Sequence, residues 1–129
     1  DICNQYQVFI MTATQLNADY ISAQQYDQNL LRGAKAIADK IDAGMIMLEV
    51  SQDDLKALDL TLKQNNLPKP AIKMSVYKNR RGRYKDVLLW CVANRGTCRI
   101  EPVFVTDYQY KLIDIPVYKV TVKEPKSAF

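Results

Sequence analysis

The apolar positions of this chain fall into short runs separated by polar stretches. Residues 7–12, Gln-Val-Phe-Ile-Met-Thr, form a continuous apolar run. Such a run predicts a strand buried on both faces, as in a parallel sheet. Residues 13–29 are polar, rich in Gln, Asn, Asp and Tyr, and lack a clear period. A connection of that length is usually functional or mobile. From Leu30 to Ile41 the apolar residues fall at Leu30, Ala34, Ile37, Ala38 and Ile41, which is helical spacing. Residues 43–50 predict a second buried strand. Ser51 predicts a helix N-cap with Asp54 at the capping-box position. Leu55, Leu58 and Leu62 share one face of that helix. Pro68 and Pro70 forbid its continuation.

The pattern then changes. Residues 71–77, 86–93, 98–105 and 108–113 read as successive strands. Gly82, Asn94-Arg95-Gly96 and Thr106-Asp107 mark the turns between them. The expected fold class is therefore α/β with a mixed sheet, parallel strands first and an antiparallel meander last. Residues 1–6 read as the last turn or two of a helix, which predicts that the chain is a fragment. Residues 116–129 read as an extension that frays.

Composition narrows the chemistry. The chain has 129 residues, 48% of them hydrophobic, enough for one domain with a core. No apolar run is long enough for a membrane-spanning helix. Histidine is absent, which excludes His-based triads and His-ligated metals within the chain. Three cysteines without a CxxC spacing argue against a disulfide framework and for a reducing compartment. Only the Cys91–Cys98 pair has hairpin spacing that would allow a bridge.

Charge is unevenly spread. From Lys63 to Arg99 there are ten Lys/Arg and one acid, Asp86, although the whole chain carries only +4. The densest part is residues 76–87, where Lys78, Arg80, Arg81, Arg83 and Lys85 crowd around Gly82. A hairpin tip this basic repels itself, which points to an anionic partner.

Three pieces taken in chain order resemble one family. They are Val8-Phe9-Ile10-Met11-Thr12-Ala13-Thr14-Gln15-Leu16, the segment from Leu31-Arg32-Gly33-Ala34-Lys35 to Asp42, and Tyr77-Lys78-Asn79-Arg80-Arg81-Gly82. Together they resemble the carboxyl-terminal half of the motor domain of DnaB-type replicative helicases, in a phage or prophage form. The resemblance covers roughly residues 1–105. It implies part of a RecA-like P-loop ATPase core over residues 1–115.

Roles follow from the resemblance, residue by residue. Gln15 matches a glutamine that couples nucleotide state to the DNA loops. Arg32, with Gly33 and Lys35 after it, matches a segment that holds the single-strand backbone. The family commonly has Arg-Glu-Ser-Gly there; this chain lacks the glutamate and adds Lys35. Lys78 and Arg80 match a lysine and an arginine finger that reach the γ-phosphate of ATP in a neighbouring subunit. The physics suits that role, since phosphoryl transfer spreads negative charge that a guanidinium stabilises. Arg81, Arg83 and Lys85 have no counterpart.

The implied whole is a hexameric, ATP- and Mg2+-dependent helicase acting on single-stranded DNA. It would work in the cytoplasm of a bacterial or phage-infected cell, with a loader and a primase as further partners. No GxxxxGK[ST] motif is present, so the chain alone is expected neither to bind ATP and Mg2+ nor to hydrolyse ATP. The alternative expectation is a non-catalytic α/β module that binds nucleic acid.

Overall fold

Turn residues divide the second half of the chain into strands in the computed structural model, which describes residues 2–16 and 39–115. Helix α1 (Ile2–Tyr6) is short. Strand β1 (Ala43–Glu49) leads into helix α2 (Gln52–Gln64). Strands β2 (Ile72–Asn79), β3 (Val87–Asn94), β4 (Arg99–Thr106) and β5 (Leu112–Ile113) follow. They form one five-stranded sheet in the order β1-β2-β3-β4-β5. Every neighbouring pair is antiparallel.

This overturns the expected partial RecA-like core with parallel strands. The decisive element is the connection from β1 to β2. Helix α2 has 13 residues, so it carries the chain away by about 20 Å at 1.5 Å per residue. The extended stretch 65–71, held open by Pro68 and Pro70, is long enough to return by about the same distance. Val50 N–H then donates to the Ala71 carbonyl at 3.0 Å, and Glu49 pairs with Ile72. The chain comes back to the end it left, so β2 runs antiparallel to β1. An apolar run such as Met45–Leu48 carries no information about the direction of its partner. It is not buried on both faces either: burial alternates along β1, and Met45 and Met47 point to solvent.

Two further expectations change. Residues 8–15 form neither helix nor strand, and Phe9 and Met11 are 86% and 81% exposed. A strand needs a neighbour to satisfy its backbone, and none pairs with this run among the described residues. Asp39, at the end of the helix expected from Leu30 to Ile41, lies in a turn, and Asp42 lies in a bend just before β1. The rest of the expected helix, the loop 17–29 and the tail 116–129 lie outside the described residues.

Helix α2 begins as the capping box predicts. Ser51 Oγ accepts from Asp54 N–H at 3.1 Å, and Asp54 Oδ2 accepts from Ser51 N–H at 2.9 Å. The helix buries Leu58 completely against Leu88, Trp90 and Phe104 of the sheet. Trp90 stacks on Phe104 at 5.9 Å and donates its indole N–H to Thr106 Oγ1 at 2.8 Å.

The same interface holds an ion pair. Lys73 Nζ donates to Asp54 Oδ2 at 2.8 Å and Oδ1 at 3.0 Å. Tyr110 Oη donates to Asp54 Oδ1 at 2.8 Å. Burial pushes the Asp54 carboxyl up, but Lys73, the Ser51 amide, Tyr110 and the Ser51 hydroxyl outweigh it. The net result is a carboxyl held below its ordinary 3.8. Every fully buried side-chain N or O atom among the described residues has a partner.

Candidate anion-binding hairpin

The β2–β3 hairpin carries the dense cation cluster. The β2–β3 pairing ends at Val76↔Val87, whereas β2 continues beside β1 as far as Ala43↔Asn79. The far end of β2 is therefore braced by β1. Asp86, at φ 58°, donates its N–H to the Val76 carbonyl at 2.8 Å and closes the loop.

Local packing sets the loop's shape. Asn79 Nδ2 donates to the Tyr84 carbonyl at 2.9 Å across the tip. Gly82 sits so close to the Asn79 carboxamide that a Cβ there would overlap it. A second close approach stands at the base, where the Tyr77 ring lies over Gly44 of β1 and leaves no room for a Cβ. Buried Tyr77 and Ile46 pack with Leu16, Ile41 and Leu48. The tip is a stapled loop on a clamped base.

The cations divide into two sets. Lys78 and Arg80 turn toward segment 39–42. Lys78 Nζ donates to the Asp39 carbonyl at 3.3 Å. Arg80 Nη1 lies 3.2 Å from Asp42 Oδ1, and Arg80 N–H donates to the Asp42 carbonyl at 2.8 Å. Arg81, Arg83 and Lys85 are exposed at the tip, and no acid pairs with them among the described residues.

Of the residues expected to act together, Lys78 and Arg80 share this base. Gln15 is exposed, and its neighbour Leu16 packs into the Tyr77 cluster. That brings the Gln15 backbone to the same end of the sheet as Lys78. Arg32, Gly33 and Lys35 lie outside the described residues. Asp42 was not expected here; its signal was an acid just before an apolar run, opposite the only dense cation cluster.

The arrangement can bind and neutralise an anion. No group of three or more His, Cys, Asp or Glu among the described residues could hold a metal ion. The three cysteines are free. Burial raises the Cys91 thiol above its ordinary 9.0, which disfavours the thiolate needed for nucleophilic chemistry. No helix among the described residues is long and apolar enough to cross a membrane.

The chain is similar to one curated protein, the SPbeta prophage-derived uncharacterized protein YorI of Bacillus subtilis (strain 168). The two are 41% identical over 118 residues, covering 88% of this chain and 23% of the relative. The chain thus spans about a quarter of the length of the relative it matches. No family model matches, and no solved structure matches.

Proposed function

We propose that this chain is the phosphate-handling part of a longer ATP-driven DNA helicase of the DnaB type, acting within a homohexamer. Lys78 and Arg80 are the residues that meet a neighbouring subunit's nucleotide. The observation that carries the reading is the hairpin itself: two cations on a clamped base, held by backbone and side-chain bonds from β1 and segment 39–42. A finger acting in trans needs such stiffness, because misplacement by about 1 Å can cost two orders of magnitude in rate. The match to a much longer prophage-derived protein is consistent with a part of a larger machine.

In this reading ATP and Mg2+ are held mainly by parts of the full-length protein outside this chain. Lys78 and Arg80 contribute positive charge to oxygens that become more negative in the transition state. Gln15 senses the nucleotide at the same end of the sheet. Arg32, Gly33 and Lys35 contact the single-stranded DNA backbone, and a loader and a primase are further partners. The test is Arg80→Ala in the full-length protein. ATP turnover should fall to background with nucleotide binding retained, and mixing with wild-type subunits should spread the defect. Normal turnover by the variant would remove Arg80 from the reaction.

A second reading rests on a different observation, the exposed Arg81, Arg83 and Lys85, which have no acid partner among the described residues. It is a non-catalytic module that binds nucleic acid through the tip. Neutralising these three should then weaken single-strand binding and reduce its salt dependence; unchanged binding would remove the tip from the interface.

A further inference from the structure

The Arg80 guanidinium already has an anion beside it. Asp42 meets Arg80 twice, through the side-chain ion pair at 3.2 Å and through the backbone bond at 2.8 Å. We infer that Asp42 is an internal counter-ion that occupies the Arg80 guanidinium until a phosphate displaces it. This rests on the phosphate-handling reading of the hairpin and adds a latch to it.

The two contacts have separable roles. The backbone bond fixes where residue 80 sits and does not involve the Asp42 carboxylate. The ion pair orients only the guanidinium. Its side chains are 54% and 68% exposed, so water and salt compete for both. A weak pair of this kind can be exchanged. An incoming polyphosphate offers several oxygens and more charge than one carboxylate, and a guanidinium binds both by the same two-pronged geometry. The exchange leaves the main chain in place, so the finger is freed without remodelling the hairpin.

The latch also has a purpose in the unbound protein. Lys78, Arg80, Arg81, Arg83 and Lys85 repel one another, and the acid nearest to them in sequence, Asp86, forms no ion pair with them among the described residues. Among the described residues, Asp42 carries the carboxylate that pairs with the cluster, through Arg80. It masks one charge at the base while the tip stays open.

Calorimetric titration of the 129-residue chain with inorganic tripolyphosphate at low ionic strength tests this. Asp42→Asn keeps the shape and the backbone carbonyl. It should bind about two- to fivefold more tightly, the range of an exposed ion pair, and the gain should fade as salt is added. Asp42→Ser should behave alike. Arg80→Ala should weaken binding, and the Asp42→Asn/Arg80→Ala double variant should match Arg80→Ala alone. If Asp42→Asn brings no gain while Arg80→Ala weakens binding, the latch is overturned and the hairpin reading stands. A gain that persists without Arg80 is a bulk charge effect and also overturns the latch. If Arg80→Ala changes nothing, the hairpin reading falls and the latch with it.

Discussion

Two acid–base pairs tie strand β2 to its surroundings, and they differ in nearly every respect except formal charge. Near its start, Lys73 meets Asp54 with side chains 8% and 3% exposed. Just beyond its end, Arg80 meets Asp42 with both side chains more than half exposed. The first pair is enclosed by Tyr110, Ser51 and the helix, and removing either member strands a charge. The second is bathed in water and can change partners at little cost. Burial thus makes one pair a structural tie and leaves the other free for exchange.

The largest expected effect comes from breaking the buried pair. Lys73→Ala should destabilise the fold by about 3–5 kcal/mol, because Asp54 is left buried and unpaired. Denaturant unfolding would measure it. Replacing Lys73 by Met and Asp54 by Leu together should cost less than either single loss. A sum of the two single costs would mean that the pair is not coupled.

Acid should attack the same tie. Asp54 has its carboxyl pKa depressed in the folded state, below the ordinary 3.8. The stability it confers is present above 3.8 and is lost as pH falls through the folded value. Thermal unfolding followed downward from pH 5 should show this loss, and a Lys73→Met/Asp54→Leu variant should show less of it. An equal acid sensitivity in the two proteins would place the effect on other carboxylates.

A smaller effect is expected at the helix start. Ser51→Ala should cost about 1 kcal/mol through loss of the N-cap, and somewhat more if Asp54 shifts away from Lys73. Smallest of all, Asp42→Asn should change stability by less than about 1 kcal/mol. Its effect should vanish in high salt, whereas that of Lys73→Ala should not. A large, salt-resistant loss from Asp42→Asn would erase the contrast between the pairs.

Much of this was legible in the chain. The Ser51 cap, the leucine face of α2 and the run of hairpins from residue 71 onward all follow from local rules, because turns and caps are made by neighbours in sequence. Strand direction was not legible. It depends on where seven residues after α2 lead the chain, and no periodicity encodes that. The buried face of β2 was hidden for another reason. Ile72, Met74 and Val76 are the apolar set, yet Lys73, Ser75 and Tyr77 are the buried one. A distant acid and a hydroxyl invert the usual pattern: Asp54 satisfies Lys73, and Tyr108 shares a hydrogen bond with Ser75 at 2.7 Å. Within the hairpin, the cation cluster was plain, but its division into a tethered base and an open tip depends on Asp42, which only the fold brings near.

The alternating exposure of β1 has a practical consequence. The chain's four methionines are Met11, Met45, Met47 and Met74. The first three are 81%, 57% and 53% exposed, and Met74 is half-buried on the adjacent strand. Thioether oxidation tracks solvent access, so brief peroxide treatment should mark Met11 first and Met74 last. The strand face beside β1 therefore carries its own chemical dosimeter. Protection of Met45, Met47 or Met74 relative to Met11 would report which parts of that face had been covered.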